Sequence, residues 1–413
     1  MLFDPARHEP LLALAWDPDR VRQCIAQIVH DTEQRFDPQR LWPAHPRDLS
    51  PGDNPEQAFT PLYYGACGVV WALHYLQDLG AVRLRCDYLQ HLDAIQQRNR
   101  AWLAASGDDG AGSYLMGDTP FALLACAGPA PRPGACATLE RLIEATIEHP
   151  ARELMWGSPG TLLAALLVHE RSGEERWAEL FRRTARRLWA QLLWSEEFAC
   201  HYWMQDLYGS QGSYLDAVHG FVATAAPLIR GRHLLGAAEW NDWQQCIVNT
   251  IARTATRQGE QLNWRAMLLT PQGRAPAYLM QFCHGAPGFV ICLADLPVPD
   301  LDAVLLQAGA TIWAAGPLTK GSNLCHGTGG NGYALLKLYQ RTGDRLWLER
   351  ARAFAMHGIG QTEADALRHG QQRYSLWTGD PGFAIYLWDC LRAVAAFPTL
   401  DVFFAPGARS CAP

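Results

Sequence analysis

Two tripeptides, Cys283-His284-Gly285 and Cys325-His326-Gly327, repeat one arrangement of soft-metal ligands 42 positions apart. Each leads through a second glycine turn, Ala286-Pro-Gly288 and Thr328-Gly-Gly330, into an apolar run, Phe289-Val-Ile-Cys-Leu and Tyr333-Ala-Leu-Leu. Thiolates and imidazoles are the donors that Zn²⁺ prefers. The two pairs therefore read as one zinc site assembled from two helix starts. If all four side chains bind, the site is a closed structural Cys₂His₂ centre. If three bind, a fourth tetrahedral position stays open for substrate, as in catalytic sites. A thiol bound at an open position loses its proton at neutral pH and becomes a nucleophile.

The elements that must position these side chains show the same rhythm along the chain. Glycine turns recur at Gly65, Gly117, Gly157, Gly220, Gly285, Gly327 and Gly379, in steps of 52, 40, 63, 65, 42 and 52 residues. About ten mostly apolar residues follow each turn, for example Val69-Val-Trp-Ala-Leu-His-Tyr-Leu and Thr161-Leu-Leu-Ala-Ala-Leu-Leu, too hydrophobic all round for surface helices. Between them lie amphipathic segments rich in Arg and Glu, such as 174–189 and 345–355, with apolar residues recurring at three and four. Strand signals are few. Inner and outer helices alternating seven times predict an all-α fold, an α/α toroid of seven inner and seven outer helices. The expectation is one domain over residues 1–413 with its repeats between roughly 60 and 400. The turns then gather seven helix N-termini, with their free N–H groups, at one end of the barrel.

Composition narrows the function. With 49% apolar and 18% charged residues the chain suits a well-buried core, and a net charge of −6 provides no basic footprint for nucleic acid. No apolar run approaches the length of a membrane span, and the first residues lack a signal-peptide pattern, so a cytoplasmic protein is expected. The 12 cysteines are spread widely and read as buried thiols plus metal ligands, with no disulfides.

The two Cys-His-Gly turns, Asp216-Ala-Val-His219-Gly220, Glu153-Leu-Met-Trp-Gly157 and the seven-fold glycine pattern resemble the lanthionine synthetase C-like family, from about Tyr63 to Leu387. Gln281-Phe-Cys-His-Gly-Ala-Pro-Gly and Leu324-Cys-His-Gly-Thr-Gly-Gly-Asn-Gly-Tyr-Ala are similar to the eukaryotic-type, glutathione-binding members more than to the bacterial peptide cyclases. The resemblance implies an α/α toroid and zinc held by Cys283, Cys325 and His326. It implies addition of a thiol to a dehydroalanine or dehydrobutyrine residue, forming a thioether, with His219 and Glu153 in proton handling. His284 then lies beside the metal or faces substrate. Lys320, which with Lys337 makes up all the lysine in the chain, stands where some glutathione-binding members carry a lysine. The residues agree with this chemistry: two thiolates and an imidazole neutralise Zn²⁺, and the enolate formed on addition needs a hydrogen-bonding or cationic partner and then a proton at Cα, for which His219 is the donor. Glu153 either takes the proton of the incoming thiol or holds His219 charged. A histidine or an acid at a helix start also serves as a cap or a dipole partner, and Lys320 also suits a solvated loop. Asp118 and Asp380 read as helix caps.

Departures from the family pattern set the expected substrate. Phe282 replaces the usual tryptophan before the first zinc cysteine, and Leu279 replaces the arginine that the peptide cyclases carry four positions before it. Pro120 and Ala223 stand where the second glycines of their turns belong, a difference of helix geometry more than of chemistry. Steps no longer than 65 residues leave little room for a β-rich insert of the kind that contacts leader peptides. The expected partners are a thiol donor such as glutathione and a dehydrated peptide or protein. The alternatives are a lanthipeptide cyclase that closes intramolecular rings, and a non-catalytic, zinc-stabilised protein that binds glutathione or another partner.

Overall fold

Glycine and proline decide where the inner helices begin. In the computed structural model, which describes residues 1–52, 54, 57–105, 110–128, 131–270 and 275–405, seven inner helices follow the seven turns. In chain-order numbering they are α2 (Ala66–Asp78), α4 (Thr119–Ala127), α6 (Ser158–Ser172), α8 (Phe221–Arg230), α10 (Ala286–Leu293), α12 (Thr328–Thr342) and α14 (Asp380–Arg392). In six of them the first glycine of the turn is the N-cap residue. The exception is α4, which starts from Asp118 in a helical backbone conformation with Pro120 in its first turn. The second glycines have a packing role. A Cβ on Gly288 would stand 2.5 Å from Ala217 Cβ, and one on Gly330 would stand 3.1 Å from Phe282 Cβ, so their absence lets adjacent turns close up.

Seven outer helices alternate with these: α1 (Pro18–Gln34), α3 (Leu92–Ala105), α5 (Ala135–Thr146), α7 (Glu175–Ala190), α9 (Ala237–Thr254), α11 (Asp302–Ala315) and α13 (Arg345–His369). The two classes bury different surfaces. Helix α6 is buried continuously from Ser158 to Val168. Helix α7 buries one stripe, Trp177, Ala178, Leu180, Phe181, Thr184, Ala185 and Leu188, and keeps its arginines and glutamates in water. Each fully buried Leu or Phe in these layers contributes roughly 1.5–3 kcal/mol of transfer free energy. The chain closes on itself: α14 packs against α2 in the inner ring, while α1 lies across α14 and beside α13 in the outer ring. The α/α toroid predicted from the glycine rhythm is the fold observed.

A ring of backbone hydrogen bonds joins the turns. The residue two positions before each first glycine takes part: Tyr63 N–H donates to Leu115, Leu115 to Met155, Cys283 to Cys325, Cys325 to Trp377 and Trp377 to Tyr63, at 2.8–3.3 Å. Between the third and fourth turns the bond shifts to Leu154 N–H and Val218 C=O (3.1 Å). Glu153 Oε2 occupies Met155 N–H there, Asp216 Oδ1 occupies Val218 N–H, and among the described residues no backbone bond joins the fourth turn to the fifth. Two carboxylates thus interrupt the ring where the chemistry is expected.

Strands occupy the two longest steps. Between α7 and α8, β1 (Leu193–Ser195) pairs with β2 (Cys200–Tyr202) and β3 (Gln205–Leu207) with β4 (Ser210–Gly212); after α9, β5 (Ala255–Gln258) pairs with β6 (Gln261–Trp264). Pieces this short rest on turn geometry and carry no clear apolar alternation. The segment after α14 runs across the inner helices: Phe397 stacks on Phe282 (4.4 Å), Trp377 Nε1–H donates to Thr399 Oγ1 (3.0 Å), and Lys337 Nζ pairs with Asp401 (3.0 Å).

Two expectations fail. Cys126 and Cys136 form a disulfide, because α4 ends and α5 begins close enough to bring their Cα atoms to 4.7 Å. Nine other cysteines are free thiols, and Cys411 lies outside the described residues. Asp118 and Asp380 do not cap their helices through their side chains. Asp118 pairs instead with Arg100 on α3, and Asp380 accepts Arg373 N–H (2.8 Å). Among the described residues no helix is long and apolar enough to cross a membrane.

Candidate functional site

Cys283 and Cys325 occupy equivalent places two residues before Gly285 and Gly327, and Cys283 N–H donates to Cys325 C=O (3.0 Å). That bond sets their thiols side by side. Sγ of Cys283, Sγ of Cys325 and a ring nitrogen of His326 lie within 4.8 Å of one another. His326 is oriented by its own turn, where its N–H donates to Asn323 Oδ1 (3.0 Å). Tyr63 Oη–H donates to Cys325 Sγ (2.8 Å), and Gln281 Nε2–H donates to Cys283 Sγ (2.9 Å). Gln281 is held in turn by Arg7, whose Nη2 donates to its Oε1 (2.9 Å). Donors that point at sulfur stabilise thiolate, the form a metal takes.

The electrostatics of the two thiols diverge. The hydrogen bond to Cys325, with burial, pushes the Cys283 thiol well up. Burial raises Cys325 too, but the hydrogen bonds from Cys283 and Tyr63 and the charges of Arg373 and Lys320 carry it below its ordinary value. Burial and the two neighbouring sulfurs raise Tyr63, which stays a phenol and a donor. Two buried thiols side by side, with an imidazole beside them, form a donor set that suits a divalent soft cation. Cys283, Cys325 and His326 fit zinc on that ground.

The fourth ligand of the closed alternative points elsewhere. His284 Nδ1 lies 2.8 Å from Asp216 Oδ2, in a charge contact whose alignment is poor for a hydrogen bond. Asp216 is fully buried, and its Oδ1 accepts Val218 N–H (3.0 Å) and His219 N–H (2.7 Å). Burial raises Asp216, yet His284, His219 and the Val218 N–H hold it below the usual carboxylate range.

His219 and Glu153 meet directly: Nδ1 of the imidazole lies 2.8 Å from Oε2 of the fully buried carboxylate. Glu153 also accepts Met155 N–H (2.9 Å) and Trp156 N–H, so its orientation is set by the turn that opens α6. Burial lowers the basicity of His219, but the hydrogen bond and charge of Glu153, then Asp216 and Cys283, lift it to about 9. At neutral pH this is an imidazolium able to give a proton, with its side chain 19% exposed. Two rings flank it, Tyr214 at 5.8 Å and Tyr208 at 6.2 Å between centroids.

Lys320 stands exposed at the rim, and among the described residues no carboxylate pairs with it. Its carbonyl accepts Arg47 Nη2–H (3.0 Å), and Arg47 pairs with Asp365 (2.6 Å). Arg373 lies deeper, paired with Asp48, and its charge reaches Cys325. Of these three cations, Lys320 is the one with no carboxylate partner among the described residues.

The sequence reading missed Tyr63, Gln281, Asp216, Arg373 and Arg7 as members of this site. Tyr63 carried a signal, since it holds the turn position that Cys283 and Cys325 hold. Asp216 and Gln281 stood within three residues of named candidates. Arg7 and Arg373 carried none, because only the closed ring brings them to the sulfurs.

Comparison with known proteins accords with this geometry. Residues 59–402 match the model of the family described as lanthionine synthetase C-like protein. The chain is 37% identical over 139 residues to a zebrafish (Danio rerio) protein named glutathione S-transferase LANCL1, and 38% identical over 141 residues to LanC-like protein GCL1 of Arabidopsis thaliana. Each match spans 32% of this chain and about a third of the relative, 33% and 32% respectively. Among solved structures, nisin cyclase superposes with a TM-score of 0.59 at 14% identity, covering 91% of this chain and 94% of that one, a likeness of fold.

Proposed function

Because the chain belongs to the lanthionine synthetase C-like family, we propose that it is a zinc-dependent enzyme that adds a thiol to dehydroalanine or dehydrobutyrine residues, with glutathione as donor and a dehydrated peptide or protein as acceptor. The observation that carries the reading is the pairing, on neighbouring turns, of the Cys283, Cys325 and His326 cluster with the buried Glu153–His219 ion pair. Cys283, Cys325 and His326 would hold zinc, which would supply a Lewis acid that favours the thiolate of an incoming thiol, its proton passing to solvent. Tyr63 and Gln281 hold the ligand sulfurs through hydrogen bonds. As the new C–S bond forms at Cβ of the acceptor, its C=C π electrons move toward the carbonyl, and the enolate needs a donor. His284, steadied by Asp216, provides one in place of the arginine missing at Leu279. His219 Nε2–H delivers the proton to Cα, while Glu153 holds Nδ1 and stabilises the imidazolium before transfer. Glutathione is an anionic thiol, and Lys320, whose charge reaches Cys325 and which has no carboxylate partner among the described residues, offers its carboxylates positive charge.

Incubating the protein with glutathione and a dehydroalanine-containing peptide should give a thioether, seen as a mass gain that a chelator abolishes and added zinc restores. Calorimetric binding of glutathione should weaken on Lys320→Ala and at high salt. If glutathione neither binds nor adds, while a dehydrated peptide bearing its own cysteine is cyclised, the chain is a lanthipeptide cyclase. If neither reaction occurs and glutathione still binds, it is a zinc-stabilised binding protein.

A further inference from the structure

The β3–β4 hairpin places a large ring over the proton-transfer pair. At its tip Tyr208 (φ +54°) and Gly209 (φ +73°) make a two-residue turn between the paired Leu207 and Ser210. The Tyr208 side chain is 74% exposed, yet it is held: Trp156 Nε1–H donates to its hydroxyl (3.0 Å), and that hydroxyl reaches Met155 Sδ (3.7 Å). Its ring stands edge-on to His219 at 86° and to Trp156 at 85°. An aromatic surface this open, fixed beside the proton donor, is a landing place for an apolar group.

The surroundings of the thiols differ in kind, since the charges that reach Cys325 come from Arg373 and Lys320, whereas those that reach His219 come from Glu153, Asp216 and Cys283. An anionic thiol and a neutral, apolar acceptor would sort themselves between such surroundings. We propose that Tyr208, Trp156 and Met155 form the acceptor subsite and that it selects dehydroamino acids flanked by apolar or aromatic side chains. Tyr208 acts there as a specificity residue, stacking on the side chain next to the reacting residue. The proposal rests on the thiol-addition reading, and it names the acceptor.

Two peptides test it, each with one central dehydroalanine, flanked by phenylalanine in one and by glycine in the other. Equilibrium binding by calorimetry and glutathione addition by mass spectrometry are followed with wild type, Tyr208→Ala and Tyr208→Phe. Wild type should bind the phenylalanine-flanked peptide more tightly. Tyr208→Ala should weaken that peptide about tenfold in Kd and KM, the worth of one aromatic contact, with kcat, zinc content and the glycine-flanked peptide unchanged. Tyr208→Phe, which keeps the ring, should stay within about threefold of wild type. Equal losses on both peptides, or a fall in kcat at constant KM, would overturn the subsite. Tyr208-dependent binding without any thioether product would support the subsite and overturn the thiol-addition reading. Turnover of both peptides indifferent to Tyr208 would do the reverse.

Discussion

Cys283-His284-Gly285 and Cys325-His326-Gly327 are the same three residues, yet they place their imidazoles in different company. His326 joins both thiols within 4.8 Å, whereas His284 turns 2.8 Å from Asp216. The backbone explains the split. Gly327 is extended (φ −121°) like the other glycine caps, but Gly285 sits at φ +101°. At the first copy Gln281 and His284 exchange backbone hydrogen bonds of 3.1 Å each, and Asn263 of β6 caps Ala286 N–H (2.7 Å). At the second copy Asn323, within the same turn, caps His326 N–H instead. Identical side-chain types are thus sorted by their neighbours, one turn placing both its thiol and its imidazole in the candidate metal cluster and the other placing its thiol there and its imidazole against Asp216.

The largest effects should come from the residues that this difference assigns to metal. Cys283→Ala and Cys325→Ala should each lose bound zinc and all thioether formation, whereas His284→Ala should keep its zinc, as measured by elemental analysis of the purified proteins. Zinc lost from His284→Ala would restore the closed Cys₂His₂ centre and erase the distinction between the two copies.

Next comes the proton side. His219→Ala should retain zinc and fold while slowing addition by about 10²–10⁴-fold, the usual worth of a positioned general acid. Wild-type rate should fall as pH rises through about 9, where His219 gives up its proton, and Glu153→Gln should bring that fall to lower pH. A rate indifferent to His219 would leave it as a structural ion-pair partner of Glu153.

Gly285→Ala should lower stability by about 1–3 kcal/mol in urea titrations, from a left-handed φ imposed on a residue with a side chain. The added Cβ would also stand 1.9 Å from Leu279 O, so His284 should lose its register against Asp216. An alanine variant as stable as wild type would show that the first copy does not need its rotated backbone.

The smallest effect concerns the ion pair as a source of stability. The folded-state value of His219, about 9, is raised above its ordinary 6.5. Its contribution to stability is therefore complete below about pH 6.5 and fades as pH rises through about 9. The difference in unfolding free energy between wild type and His219→Ala should shrink between those limits, and a constant difference would show that packing, not charge, holds the pair.

Much of this was legible in the chain because it is local. Glycine pairs followed by apolar runs announce helix starts, and amphipathic stripes such as that of α7 announce outer helices, whatever lies across the barrel. The hairpins were not legible, since strands of three or four residues hold no period to read. Nor was the Cys126–Cys136 bond, which depends on how closely α5 folds back after α4. Asp118 and Asp380 stood at helix starts as expected but took partners from Arg100 and from the Arg373 backbone, because those groups arrive from other parts of the fold.

By itself the sequence determined the repeat, the number of turns and the kinds of donor placed on them, since each follows from a few adjacent residues. Only the tertiary structure decided which donors meet. Glu153 finds His219 across 66 residues, Tyr63 finds Cys325 across 262, and Arg7 finds Gln281 across 274. These meetings depend on closure of the ring, where small rotations of every helix pair add up before the last turn bonds to the first, and no local stretch of residues encodes that sum.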